Sequence, residues 1–184
     1  CALPICDFMK KVLSKILILC LALILLVPSS VFAQKSSFEK DMETLNNYIK
    51  VSEDNVYYFD REAAQRDNQP ELILKAGEEF ELLVKENDVD KIRARAASLL
   101  IYGNWCGPGY SGPEAPIDAL DTACQSHDYC YGRSSSKADQ CNCDQKLISR
   151  IYSEYDSYSS NAKPYALAIA SWFSSAAAGC RDFD

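Results

Sequence analysis

The sequence predicts an all-α, disulfide-stapled fold, in which two long antiparallel helices carry the functional site beside a glycine-rich loop and additional helices precede them. Three observations favour this class. Apolar residues recur at three-to-four spacing through most of the chain. The last six of the nine cysteines all follow residue 105, and four of the seven glycines lie between residues 103 and 112. Such a dense glycine cluster indicates a backbone that turns through unusual dihedral angles.

The N-terminus has the pattern of an export signal. The chain has 184 residues, enough for one core rather than several domains. Lysines between residues 10 and 15 precede the apolar run Ile16 to Val27, which is followed by a small-residue end at Ala33. We expect a signal peptide over residues 9–33, preceded by an upstream extension, residues 1–8, of unknown origin. Because the apolar run is too short to span a bilayer comfortably, we expect a secreted, extracellular protein with no transmembrane anchor in the mature chain.

Charge and cysteine content narrow the function classes. Residues 1–33 contain three Lys and one Asp, so the rest of the chain has 16 basic and 25 acidic residues, a net charge of −9. This balance disfavours nucleic acid as a partner, and the chain has no polybasic segment to attract anionic lipid. Six cysteines in an exported chain suggest three disulfides, for which fifteen connectivities are possible.

Residues 34–98 are predicted to form a helical N-terminal segment. Ser36 or Ser37 can cap a first helix, Pro70 suits the first turn of a second, and a third is expected to begin at Asp90. The apolar positions of the first two helices are Phe38, Met42, Leu45 and Ile49, and then Leu72, Leu74, Phe80 and Leu83. Residues 57–59 are either a short strand or an aromatic packing cluster. The segment is a pro-segment, a lipid-facing cap or part of the core.

Residues 99–184 are predicted to hold the functional domain. Asp118 can cap a helix of about fourteen residues that Gly132 ends, and Asp121 lies in its first turn, where the helix dipole favours negative charge. A second long helix is expected from about Ala138 to Tyr158. A third is expected from Pro164 to about Ala178.

The first of these helices carries the only histidine of the chain, His127. Helical spacing places four side chains on one face, those of Cys124, His127, Asp128 and Tyr131. If Cys130 is bridged to Cys143 on the next helix, the two helices are antiparallel and Asp144 lies opposite His127. A base would then meet the carboxylate that orients it.

The glycine-rich loop suggests a metal site. Glycine permits a turn in which three carbonyl groups converge, those of Trp105, Gly107 and Gly109. A bridge between Cys106 and Cys124 would hold this loop beside Asp128. Carbonyl oxygens together with a carboxylate are ligands that Ca²⁺ prefers, and water molecules can complete its coordination.

Three motifs in this order resemble a known family. They are Tyr102 to Gly109 (YGNWCGPG), residues 124–131 (CQSHDYCY) and residues 141–144 (CNCD). Their sequence and spacing are similar to those of secreted phospholipase A2 over about 45 residues. The ordered combination is far more specific than any one motif.

The resemblance implies calcium-dependent hydrolysis of the sn-2 ester of glycerophospholipids, with release of a fatty acid and a lysophospholipid. Its substrate would be a phospholipid aggregate or a membrane surface. His127 then resembles the general base, Asp144 the carboxylate that fixes the imidazole tautomer, and Tyr131 a supporting hydrogen-bond donor. The Ca²⁺ ligands implied are the carbonyls of Trp105, Gly107 and Gly109 and the carboxylate of Asp128.

The resemblance also implies a disulfide pairing. By the family pattern Cys106 pairs with Cys124 and Cys130 with Cys143, which leaves Cys141 with Cys180. Family members often have cysteines at the positions of Asn104 and Ala123, so two further bridges cannot form here.

Three other interpretations compete with an enzyme. The cysteines and His127 could bind zinc, but the chain has no Cys-x-x-Cys pair and is expected to be exported. A zinc site would also give no function to the glycine-rich loop. A catalytically inactive phospholipase A2-like protein could bind lipid or a receptor, since fold does not guarantee chemistry. A purely structural disulfide-rich module would not need a calcium loop. The joint presence of His127, Asp128 and Asp144 favours the enzyme.

Overall fold

The computed structural model describes residues 35–86, 101–108, 111–175 and 180. Those from Ser36 onward belong to one compact unit, Ser36–Asp184. The predicted signal peptide, the predicted helix from Asp90 and the loop residue Gly109 lie outside the described residues. Within the described ranges, no helix is both long and apolar enough to cross a membrane.

The all-α, disulfide-stapled class is confirmed, with six α-helices, one short hairpin and one 3-10 turn among the described residues. In chain order the elements are α1 (Ser37–Tyr48), β1 (Ile49–Val51), β2 (Tyr57–Phe59), α2 (Arg61–Arg66), α3 (Glu71–Glu86), α4 (Ala119–Tyr131), α5 (Lys137–Glu154), the 3-10 turn (Tyr155–Ser157) and α6 (Lys163–Ser174).

Ser36 is the residue that caps α1. Its hydroxyl accepts a hydrogen bond from the Glu39 backbone N–H, and its own N–H donates to the Glu39 carboxylate, which completes a capping box. The helix ends before Ile49, which was predicted to belong to it. Ile49 has extended backbone dihedrals and begins β1 instead, where it pairs with Phe59 of β2.

Residues 57–59 form a strand, which settles the choice that the sequence left open. β1 and β2 pair as an antiparallel hairpin. Phe59 is buried against α3 at Gly77, where a Cβ atom would lie 2.4 Å from the Phe59 ring. The hairpin therefore packs on α3 where that helix lacks a side chain.

Helix α3 joins the N-terminal segment to the C-terminal core. Its buried face consists of Ile73, Ala76, Phe80 and Leu83. Two of the predicted apolar positions, Leu72 and Leu74, are only half-buried, because they flank the stripe that Ile73 begins. The Phe80 ring lies 6.4 Å from that of Trp172 on α6, a helix that is buried along most of its length.

Helix α1 is attached to the same core by rings and hydrogen bonds. Phe38 makes an edge contact with Tyr155, with ring centroids 5.2 Å apart. The Tyr155 hydroxyl donates to Asp41 at 2.8 Å, and the Ser171 hydroxyl donates to Asn46 at 2.8 Å. Residues 36–86 thus share one core with the helices that follow them.

The two long helices form a hairpin close to the predicted one. Asp118 caps α4 and Gly132 ends it after 13 residues. The second helix, α5, ends at Glu154 rather than near Tyr158, because the chain tightens into a 3-10 turn and Tyr158 is extended. Helix α6 ends at Ser174, short of its predicted end near Ala178, because Ser175 has extended backbone dihedrals and its N–H donates to the Trp172 carbonyl.

Three disulfides hold the C-terminal half together: Cys106–Cys124, Cys130–Cys143 and Cys141–Cys180. They are the three pairs that the resemblance implies. Cys130–Cys143 joins α4 to α5, and only five residues connect the two helices. A connection this short makes the helices antiparallel neighbours.

We expect Phe80→Ala to lower the free energy of unfolding by about 3–5 kcal/mol, since it removes a fully buried ring from the contact between α3 and α6. Denaturant unfolding followed by tryptophan fluorescence measures this loss. Leu82→Ala on the same helix, where the side chain is 41% exposed, is the control and should cost about 0.5 kcal/mol or less. Equal losses in the two variants would contradict a shared core.

Candidate active site

His127 and Asp144 form a hydrogen-bonded pair across the α4–α5 hairpin. The distance from His127 Nε2 to Asp144 Oδ1 is 2.8 Å, and the Tyr131 hydroxyl donates to the same oxygen at 2.7 Å. The Asp144 side chain is only 3% exposed. Because a carboxylate accepts hydrogen bonds, Nε2 carries the proton in this arrangement and Nδ1 keeps the basic lone pair.

Two aromatic rings enclose the imidazole. Tyr131 lies 4.5 Å from it between ring centroids, and Phe173 of α6 makes an edge contact at 4.9 Å. Burial raises the pKa of Tyr131, and its hydrogen bond to Asp144 raises it further, so Tyr131 remains a neutral donor. Sequence reasoning missed Phe173, since α6 carries no recognisable motif.

Asp128 follows His127, and one oxygen of its carboxylate lacks a hydrogen-bond partner among the described residues. Among the described residues, its Oδ2 is the only buried side-chain oxygen or nitrogen atom without a hydrogen-bond partner. Burial raises the pKa of Asp128, while the Ser111 hydroxyl and His127 act in the opposite direction. The other oxygen, Oδ1, lies 4.0 Å from His127 Nδ1. A buried carboxylate oxygen without a donor is costly, and a bound cation would satisfy it.

The glycine-rich loop uses alternate carbonyl groups for its own hydrogen bonds. The carbonyls of Tyr102, Asn104 and Cys106 accept from backbone N–H groups. No hydrogen bond from another described residue reaches the carbonyl oxygens of Trp105 or Gly107, two of the three predicted loop ligands. The Cys106–Cys124 bridge fastens the loop to α4. The loop residues thus fit the donor set that Ca²⁺ prefers.

Asp121 is the residue that holds this loop in place. Its fully buried carboxylate accepts from the backbone N–H groups of Asn104 (2.9 Å), Trp105 (2.8 Å) and Ile117 (2.9 Å). Gly103 has a φ of +61°, and a Cβ there would lie 2.2 Å from the Asp121 carboxyl carbon. From the sequence alone, Asp121 was expected only to interact favourably with the dipole of the helix that Asp118 caps.

A signal for this second role was present in the sequence. Leu120, Ala123 and Cys124 are buried around Asp121, so helical spacing places it on the buried face of α4. A carboxylate in such a position needs several donors, and a neighbouring loop can supply them.

The zinc interpretation is wrong for the cysteines that the structure describes. All six of them are in disulfides, so none supplies a thiolate. Cys141, Asp144 and Cys180 do lie together, with ligand atoms within 4.8 Å of one another, but the two cysteines are bridged to each other.

Known proteins with similar sequences are phospholipases A2. Basic phospholipase A2 beta-bungarotoxin A2 chain from Bungarus flaviceps flaviceps is 50% identical over 48 residues, covering 26% of this chain and 29% of that protein. Phospholipase A2 from Ovis aries is 42% identical over 62 residues, 34% and 46% of the two chains. Acidic phospholipase A2 beta-bungarotoxin A4 chain from Bungarus multicinctus is 49% identical over 51 residues, 28% and 31%.

The resemblance to phospholipase A2 that the motifs predicted is therefore confirmed over part of the chain. The chain spans less than half the length of each of these relatives. No family model matches it, and no solved structure matches it.

We expect Asp121→Asn to lower the free energy of unfolding by about 2–4 kcal/mol, because a carboxamide cannot accept from all three loop N–H groups. Chemical denaturation with the disulfides intact measures the change. Asp54→Asn, at an exposed position in the hairpin turn, makes the same change in charge and should be neutral. If the two variants were equally stable, Asp121 would not be the residue that holds the loop in place.

Proposed function

We propose that the chain is a calcium-dependent phospholipase A2 that hydrolyses the sn-2 ester of glycerophospholipids and releases a fatty acid and a lysophospholipid. One observation carries the proposal. His127, a half-buried histidine whose Nε2 is held by Asp144, lies next to Asp128, whose buried Oδ2 has no hydrogen-bond partner among the described residues. The similarity to phospholipases A2 supports the same reaction class.

In the proposed reaction His127 acts as the general base. Its Nδ1 takes a proton from a water molecule as the water oxygen bonds to the ester carbonyl carbon. The imidazolium then returns this proton to the alkoxide of the departing lysophospholipid when the ester C–O bond breaks. Asp144 holds the ring in the required tautomer and stabilises its charged form, and Tyr131 keeps the Asp144 carboxylate in place.

Asp128 and the loop carbonyls of Trp105, Gly107 and Gly109 would hold Ca²⁺. The ion would supply positive charge to polarise the ester carbonyl and to stabilise negative charge on its oxygen. The buried Asp128 oxygen supports this assignment, as do the Trp105 and Gly107 carbonyls, which receive no hydrogen bond from another described residue. Asp121 keeps the loop in position through hydrogen bonds from the backbone N–H groups of Asn104 and Trp105.

We also propose where the protein works. The three disulfides fit a secreted protein, since such bridges persist in oxidising compartments. Secretion would follow removal of the signal peptide, residues 9–33. The substrate would be a phospholipid aggregate or a membrane surface, and residues 99–184 would supply the catalytic side chains and the calcium ligands.

The deciding experiment is hydrolysis of a phospholipid with two distinguishable acyl chains, with calcium and with a chelator. Mass spectrometry of the products should show release of the sn-2 fatty acid only when calcium is present. Binding to the vesicles without any release would instead favour the inactive, lipid-binding alternative. Release of the sn-1 chain would refute the proposed position of attack.

We expect His127→Gln to reduce hydrolysis by roughly a hundredfold to ten-thousandfold or more, because no other histidine can serve as the base. Folding and calcium binding should stay close to wild type. Tyr129→Phe, which changes an exposed neighbour on the same helix, is the control and should keep full activity. Substantial turnover by a correctly folded glutamine variant would rule out His127 as the base.

We expect calcium to be obligatory and to depend on Asp128. Because the loop ligands are mostly neutral carbonyls, binding should be weak, with a dissociation constant on the order of 0.1 to 1 mM. Asp128→Lys should abolish both calcium binding, measured by isothermal titration, and hydrolysis, while the disulfides maintain the scaffold. Asp54→Lys makes the same change in charge at an exposed turn and should alter neither. Full activity in chelator, or unchanged affinity in Asp128→Lys, would disprove the site.

A further inference from the structure

We infer that Phe173 is a positioning residue for the base His127: its ring, presented by α6, keeps the imidazole in the orientation in which Nε2 faces Asp144 and Nδ1 stays free. The inference rests on the proposed function for its catalytic meaning. Phe173 lies outside the three motifs that resemble phospholipase A2, since the last of them ends at Asp144 and α6 begins at Lys163.

A single hydrogen bond does not fix an imidazole ring. The bond from Nε2 to Asp144 leaves rotation about the Cβ–Cγ bond limited only by the surroundings, and this terminal torsion is intrinsically broad. Among the described residues, Tyr131 and Phe173 make the two ring contacts with His127, at 4.5 Å and 4.9 Å between centroids. Without Phe173, the imidazole would have room to turn about this bond and carry Nε2 away from the carboxylate. A neutral imidazole that lacks this acceptor can carry its proton on either nitrogen.

Phe173 is held on both sides of its position in the chain. Its neighbour Trp172 is buried and packs against Phe80 of α3. Beyond the helix, Cys180 is bridged to Cys141 on α5, and its sulfur lies 3.2 Å from Asp144 Oδ2. The C-terminal region therefore contacts both members of the pair, His127 through a ring and Asp144 through a sulfur atom.

The test uses the fact that His127 is the only histidine of the chain, so every imidazole signal belongs to it. Nitrogen-15 NMR of the protein labelled at histidine separates the two neutral tautomers without substrate and without calcium. The wild type should show the single tautomer protonated at Nε2. Phe173→Ala should show a mixture of both tautomers, and Phe173→Leu, which refills the gap, should restore the single form.

Phe173→Val leaves only part of the gap and should show a smaller admixture, so it serves if the alanine variant does not fold. A single Nε2-protonated tautomer in the folded alanine variant, or in Phe173→Val when only that variant folds, would overturn the inference. Because this measurement needs no turnover, it decides the role of Phe173 even if the chain proves to lack phospholipase activity.

Kinetics provide the second readout. In Phe173→Ala, kcat should fall roughly tenfold to a hundredfold while KM stays nearly unchanged, since misplacing a reacting group affects the chemical step. Phe173→Leu should recover most of the loss. Tyr152→Leu, an exposed aromatic position on α5, should leave kcat as in the wild type. A lower thermal midpoint with wild-type kcat in the alanine variant would show that Phe173 is merely structural.

Discussion

The hydrogen bond between the buried Asp144 carboxylate and His127 Nε2 is the interaction on which the site depends. A carboxylate that is almost excluded from water is costly unless donors satisfy it, and His127 and Tyr131 supply two donors to the same oxygen. These donors lie on α4 and the acceptor on α5. Sliding one helix by a single turn would move the groups apart by about 5.4 Å. The Cys130–Cys143 bridge between the same two helices opposes such a shift.

Three aspartates on or beside the α4–α5 hairpin differ in which groups compensate their negative charge. Asp121 accepts from three backbone N–H groups, and Asp144 accepts from an imidazole and a phenol. Asp128 has one buried oxygen, Oδ2, that no donor among the described residues reaches, although Asp128 lies on the same helix as Asp121 and beside His127. Since the surrounding structure satisfies the other two, the deficit at Asp128 is local and selective. A bound cation would satisfy such an oxygen.

Sequence signals that act over a few residues predicted most of the α4–α5 hairpin. The features that they did not predict depend on contacts between residues far apart in the sequence. Asp118 and Gly132 bound α4 because capping chemistry acts within a few residues. The pairing of His127 with Asp144 was predicted from helical spacing, on the condition that Cys130 is bridged to Cys143. Phe173 was missed because its partner is 46 positions away in the sequence and no periodicity links them. Ile49 was misplaced because its strand partner, not its own propensity, decides its state.

The N-terminal segment supports the site from outside the three sequence motifs. Helix α6 bears the ring that touches His127, yet the side of α6 that carries Trp172 rests on Phe80 of α3. Ser171 on α6 is further hydrogen-bonded to Asn46 of α1. If α1 and α3 were removed, α6 would expose its buried face to water, and the Phe173 ring would no longer be held against the imidazole. Residues 36–86 are therefore part of the core that supports the site, and not a separate layer on an independent domain.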